Sequence, residues 1–284
     1  MLVMLVLAPA GARAEMSVWF LDVGQGDCTV VVCDGQAMVI DGGPAGASQK
    51  VYAFLREELG LEYVDYVIAT HPHEDHIGGL TAVLNAAPAD LILAPLTEWR
   101  SGRFQDLMRY AGLSGTPVSV PAEGDRLELG GAVVTVLHCW PEAAAWEGGS
   151  VDPENDMSIV VRIDYGGTSV VVAGDAESAS EYMMIDSGLP LKADVLRVAH
   201  HGSAYSTTEE FLSAVSPRYA VISCGEGNRY MHPHGRVLNL LRKKNVWLFR
   251  TDLQGTVKCV SDGKEISFSV DRWADREKLY ASPA

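Results

Sequence analysis

The chain has 284 residues, 48% of them hydrophobic and 21% charged, with 22 basic against 37 acidic residues for a formal net charge of −15. Such a length buries a substantial core, and the composition is that of a globular protein rather than a disordered or fibrous one. The acidic balance excludes long-range attraction to nucleic acid or an anionic membrane, so a polyanionic substrate would have to be held locally, by metal ions and a few cationic side chains.

Residues 1–14, MLVMLVLAPAGARA, are apolar and small, carry no acid and close on Ala12-Arg13-Ala14, a pattern suited to signal-peptide cleavage. The expectation is an exported, extracytoplasmic protein whose mature part starts at Glu15 and forms one domain over 15–284. The apolar run lacks a basic start and is far short of the roughly 20 residues that span a bilayer, so no stable membrane insertion is expected.

Strand patterns come next, WFLDVG, CTVVVCD and AMVIDGG, followed by the helical pattern SQKVYAFLREELG and the strand YVDYVIAT. A helix around Gly79 to Ala86, the strand LILAP, a helix around Phe104 to Leu113 and strands near TPVSV and AVVTVLHCW follow. PEAAAWEGGSVDPEN reads as a surface linker or a loop over a site. Beyond it run the strands MSIVVRIDYGG and TSVVVAGD, a helix from Glu177 to Asp186, the strand ADVLRVAHHGS, a helix from Thr207 to Val215 and the strand RYAVISCG. A helix near Arg236 to Lys244 and the strands NVWLF, GTVKCV and EISFSV end the chain. Strands first, then alternating strands and helices, predict a layered α/β domain. Asp65-YVIAT-His71 and Asp194-VLRVA-His200 share one pattern, Asp, five residues, His, which suggests two halves whose strand ends meet at one site. The five cysteines form no CxxC pair and sit mostly in apolar runs, as small buried hydrophobes do, with one disulfide left open.

Chemistry concentrates in THPHEDHIGG (70–79), which holds three of the chain's eight histidines. His71 and His73, two apart, suit one cation if the loop is extended, and Asp75 and His76 follow at the start of a helix expected near Ile77. A solvated, capped helix start is the plainer alternative. One loop cannot complete two ions, but Asp41 in IDGG, Asp175 in AGDA and His200-His201 in AHHGS also stand at the ends of apolar runs, where α/β sheets expose functional groups. Asn228-Arg229-Tyr230-Met231-His232 reads either as a surface turn or as a clamp, with His232 and Arg229 reaching a phosphate oxygen or a leaving group. Gln25-Gly26-Asp27 reads as a hairpin turn.

The ordered set FLDVGQGD (20–27), IDGG (40–43), THPHEDHIGG, ENDMSIV (154–160), AGDAE (173–177) and AHHGS (199–203) resembles the metallo-β-lactamase superfamily. Within it the chain is similar to the hydrolase domain of the ComEC competence family and to secreted relatives such as phosphorylcholine esterases, over about residues 17 to 262. The resemblance implies a four-layer αββα sandwich and two divalent cations, zinc or in its place manganese or magnesium. His71 and His73 would bind one ion and Asp75 and His76 the other, Asp175 would bridge them, and His201 would complete the set. His200 would be a proton donor beside it, and Asp41 would orient a ligand imidazole. Where most members carry a further histidine this chain has Glu154-Asn155-Asp156, so Asn155 or Asp156 would bind the ion or the substrate instead. The implied reaction is hydrolysis of a phosphodiester, DNA or a small diester, by a metal-activated water. Its alternatives are hydrolysis of another ester, lactone or β-lactam, and a non-catalytic binding module.

Overall fold

A computed structural model describes residues 15–145 and 152–283. The expected leader, residues 1–14, and the centre of the 141–155 segment lie outside the described residues. The strands β1 (Met16–Phe20), β2 (Thr29–Cys33), β3 (Gln36–Ile40), β4 (Val64–Ile68), β5 (Ala89–Leu93) and β6 (Val118–Ser119) build most of one sheet. A second sheet holds β7 (Arg126–Leu129), β8 (Ala132–His138), β9 (Val160–Tyr165), β10 (Thr168–Val172), β11 (Val195–Arg197), β12 (Tyr219–Ile222) and β13 (Trp247–Arg250). The chain then returns to the first sheet as β14 (Val257–Ser261) and β15 (Ile266–Val270), giving the orders β15-β14-β1-β2-β3-β4-β5-β6 and β13-β12-β11-β10-β9-β8-β7.

Three apolar clusters show how the layers stack. Val18, Phe20, Met38, Ile40 and Ile68 of the first sheet meet Val134, Val161, Ile163, Val172 and Val221 of the second. On the outer faces Val39 and Val67 pack against Val51, Leu80 and Val83, while Val171 and Leu196 pack against Met184, Phe211 and Leu238. Sheet therefore lies on sheet with helices outside both, the αββα sandwich expected. Strands buried on both faces read as continuous apolar runs rather than alternating ones, which is why VYVI-type stretches were legible as strands.

The suspected duplication has a physical counterpart. β3 runs parallel to β4, as β10 does to β11. The Asp65 carboxylate accepts from the Ala37 backbone N–H at 2.8 Å, and that of Asp194 accepts from Ser169 at 3.0 Å. Each aspartate thus ties its strand to the second residue of the strand beside it, and each strand then delivers a histidine to the opposite end.

Several local expectations need correcting. Glu74–Ile77 is already one helical turn, separate from the helix Leu80–Ala86, so Asp75 and His76 sit on a helix and not before one. That break lets two backbones touch, since a Cβ on Gly79 would lie 2.0 Å from the Gly42 carbonyl oxygen. β7 was not anticipated, and its sequence, RLEL, alternates too briefly to announce a strand. All five cysteines are unpaired. Among the described residues no helix is long and apolar enough to cross a membrane.

Candidate metal centre

The parallel strands β3, β4, β10 and β11 end at one edge of the sandwich, and the residues that follow them converge there. Asp41 follows β3, His71 to His76 follow β4, Asp175 follows β10, and His200 and His201 follow β11. His73, Asp75, Asp175, His200 and His201 line a pocket of about 710 Å³ whose walls include Gln25, Asn155, Asn228, Arg229 and His232, while Asp41, His71 and His76 are fully buried.

On one side the His71 Nε2 and His73 Nδ1 atoms face each other at 3.1 Å. On the other, His76 Nε2 lies 3.3 Å from His201 Nε2, and each lies near one oxygen of Asp175, at 3.2 and 3.4 Å. Asp75 reaches His201 Nε2 at 3.3 Å. His71, His76 and Asp175 form one compact donor group and Asp75, His76 and His201 another.

The far nitrogen of every one of these rings has a neighbour. His76 Nδ1 is 2.7 Å from Asp41, and His201 Nδ1 donates to the Ser223 carbonyl at 2.9 Å. His71 Nδ1 faces the Thr70 hydroxyl at 3.0 Å, and His73 Nε2 faces Glu154 and Asp152 at 3.5 and 3.6 Å. Pinning one imidazole nitrogen fixes the ring and leaves the other lone pair for a cation. The donor set therefore fits divalent cations, with His71, His76 and Asp175 as one candidate group and Asp75, His76 and His201 as another.

Electrostatics point the same way. Burial, then the neighbouring His76 and His73, pushes the His71 ring well below its ordinary value and keeps it neutral. Burial opposes protonation of His201, but Asp175 and Asp75 hold its pKa up at about 9. His76 is likewise raised against burial by Asp175 and Asp41. Burial would raise Asp175, but His201, His76 and His200 hold it well below the carboxylate range. Two protonated rings facing at 3.3 Å repel, whereas a divalent cation would take both lone pairs.

Not every expected residue behaves as anticipated. His200 and His201 both have left-handed φ, 50° and 53°, on a tight turn. Both rings consequently line the pocket. His201 is buried among the carboxylates, whereas His200 sits 3.9 Å from Asp175 with its Nδ1 towards Glu177 at 3.5 Å and Asn155 at 3.5 Å. Asp156 turns away and caps the helix Ser178–Asp186, accepting from Glu177 N at 3.0 Å and Ser180 Oγ at 2.6 Å. Asn155 remains at the pocket wall, where its amide donates to Glu177 at 3.1 Å.

The turn at Gln25-Gly26-Asp27 packs directly under the site. A Cβ on Gly26, whose φ is +149°, would lie 2.4 Å from the Asp75 carbonyl oxygen. Asp27 is fully buried and pairs at 2.8 Å with Arg197, also fully buried, which in turn reaches Asp175 at 3.6 Å. Arg197, Thr70 and Glu177 were not singled out from the sequence; only the placement of Arg197 and Thr70 inside motif strands hinted at them. Over the pocket, the 228–232 loop is held by Asn228, which donates to Gly225 O at 2.9 Å and accepts from His232 N at 3.0 Å. His232 stacks between His201 and Tyr230, with centroids 6.2 and 5.7 Å apart.

The family model for the metallo-β-lactamase superfamily matches residues 21–226. ComE operon protein 3 of Bacillus subtilis (strain 168) is 31% identical over 276 residues, covering 90% of this chain and 34% of that protein. Competence protein ComA of Neisseria gonorrhoeae is 29% identical over 257 residues, covering 87% of this chain and 32% of that protein. This chain thus spans about a third of the length of either relative. Among solved structures, Igni18, a metallo hydrolase from Ignicoccus hospitalis KIN4/I, is similar in fold with a TM-score of 0.55 at 18% identity, over 85% of this chain and 98% of that one.

Proposed function

The chain belongs to the metallo-β-lactamase superfamily, and from that premise we propose that it is a metal-dependent phosphodiesterase. The observation that carries the reading is the convergence of four imidazole nitrogens and the Asp75 and Asp175 carboxylates below a wall that carries Arg229 and His232. A mixed nitrogen and oxygen set suits zinc, with manganese or magnesium in its place. Two such cations would neutralise substrate charge and acidify a water molecule.

The chain's own groups do the rest. Asp75, whose side chain is 31% exposed at the pocket floor, orients the attacking water. Arg229 and His232 hold phosphoryl oxygens. His232 is depressed to about 4, by burial first and then by His201 and His200, so it is neutral at pH 7 and serves as a hydrogen-bonding group. His200, with Glu177 behind it, lines the pocket beside His232; burial lowers its pKa, so it too is neutral at pH 7 and hydrogen-bonds the departing oxygen. Asn155 steadies that pair. The polar, cation-bearing wall favours a phosphodiester over a neutral lactone or β-lactam. The substrate is DNA or a small diester; the two relatives' names concern competence, while the net charge of −15 disfavours a long polyanion. An extracytoplasmic location, expected from residues 1–14, belongs to the same proposal.

The test is turnover of bis(p-nitrophenyl) phosphate by metal-loaded protein. Activity should vanish with chelator and in His73→Ala while circular dichroism is unchanged. Equal turnover by metal-free protein, or turnover of a β-lactam reporter alone, would overturn the reading.

A further inference from the structure

A second depression, of about 560 Å³, lies in the segment that joins β5 to the helix Gly102–Ser114 and is lined by Thr97, Trp99, Arg100, Phe104 and Met108 among others. Trp99 packs against the core and is only half-buried. Arg100, with a side chain 84% exposed, lies over the indole, its Cζ 5.6 Å from the ring centroid. The same guanidinium reaches Glu154 at 3.4 Å, and Glu154 reaches the metal-facing ring of His73 at 3.5 Å. A chain of polar contacts, Arg100 to Glu154 to His73, therefore links the aromatic depression to the metal centre.

We propose that this depression is a second substrate subsite, one that stacks an unpaired nucleobase on Trp99 while Arg100 holds the phosphate between it and the metals. The inference rests on the phosphodiesterase reading and narrows its substrate to a single-stranded nucleic acid. Three points select that ligand. A half-buried indole with Met108 beside it suits a flat ring, and base stacking on aromatic side chains needs a base free of its partner. Trp99 has Arg100 over it, so a quaternary ammonium group would meet a like charge there, whereas a base takes the ring once Arg100 swings from the indole to the adjoining phosphate. The exposed Arg100 and Glu154 pair is readily exchanged, and a phosphate offers the guanidinium a bidentate partner. With a net charge of −15 there is no long-range pull on a polyanion, so local contacts of this kind must supply the grip.

The experiment compares oligothymidylates of two to eight nucleotides with bis(p-nitrophenyl) phosphate on metal-loaded enzyme. In the parent protein KM should fall as the first few nucleotides are added. Trp99→Ala should abolish that gain, raising KM for the octamer about tenfold at unchanged kcat, and Trp99→Phe should restore it. Arg100→Ala should raise KM several-fold and flatten its salt dependence, and the small diester should be turned over alike by all. No length effect in the parent protein, or an equal KM rise for both substrates in Trp99→Ala, would overturn the subsite while leaving the phosphodiesterase intact. Should neither substrate be hydrolysed, anisotropy of a labelled octathymidylate decides the subsite alone: tenfold weaker binding by Trp99→Ala supports it, and equal binding overturns it.

Discussion

Asp41→Asn should weaken one metal site more than the other. Asp41 follows β3 with a φ of 60°, a conformation asparagine also tolerates, and its side chain is fully buried. One oxygen accepts from Thr70 N at 2.9 Å; the other is 2.7 Å from both the Thr70 hydroxyl and His76 Nδ1. An amide in that place must either turn its NH₂ towards His76 or turn it against the Thr70 backbone N–H. The first choice makes Nδ1 an acceptor and moves the ring proton to Nε2, the atom that faces His201 and Asp175. The second buries two donors face to face. Losing such an outer partner typically lowers metal affinity 10- to 100-fold, about 1.4 to 2.7 kcal/mol. The loss should fall mainly on the ion held by Asp75, His76 and His201, because Asp41 touches His76 directly but reaches His71 only through the Thr70 hydroxyl, and Ser158 lies near His71 as well. Competition calorimetry against a chelator resolves the two sites. Unchanged affinity for both ions, or an equal loss at both, would refute the reasoning.

The remaining predictions concern pH, the buried ion pair and the helix cap. His201 is held up at about 9, so its contribution to the metal-free fold is complete below 6.5 and is lost as pH rises through 9. His232, depressed to about 4, takes up its proton more readily when unfolded, so stability also falls from pH 6.5 down to 4. Metal-free Tm should therefore peak near pH 6.5, and the Tm gained from added zinc should grow between pH 6.5 and 9; a flat gain would contradict the placement of His201 as a ligand. Arg197→Met strands the buried Asp27 without its cation and should cost about 3–5 kcal/mol in denaturant titration, with much of it recovered when Asp27→Asn is added. Asp156→Ala should cost about 1 kcal/mol, as the loss of a helix cap does, and leave metal stoichiometry at two; a drop to one ion would restore Asp156 as a ligand.

What the sequence made legible is the set of polar residues standing at the ends of apolar strands. Ile40-Asp41, Ala69-Thr70-His71, Gly174-Asp175 and Ala199-His200 each mark the point where a strand leaves the core, and strand ends in a layered α/β fold share one edge. Side-chain direction was not legible in the same way. The two left-handed residues His200 and His201 break the alternation that an extended segment would impose, and nothing in AHHGS announces this beyond the glycine that follows. The choice between Asn155 and Asp156 was not legible for a related reason. One turn of helix, Pro153–Asp156, sends Asn155 to the pocket and Asp156 to the neighbouring helix, and a four-residue helix has no periodicity to read. Outer contacts such as Ser223 O on His201 join positions 22 residues apart through the fold alone.

Contacts within the chain hold the site's groups together against their like charge. Asp27, Asp75 and Asp175 gather on one edge of an acidic protein, an arrangement that self-repulsion opposes. Arg197 supplies one permanent counter-charge from within β11, reaching Asp27 at 2.8 Å and Asp175 at 3.6 Å. The raised His76 and His201 rings supply the rest as protons. Arg197 cannot leave, but the protons can, and they sit on the nitrogens that face Asp175. Divalent cations held there would take the place of those protons, while Asp41, Ser223 and Thr70 orient the rings. Affinity at such a centre is set by how many protons must be displaced rather than by how much chain must be ordered, so metal binding should depend steeply on pH and only weakly on denaturant below the unfolding transition.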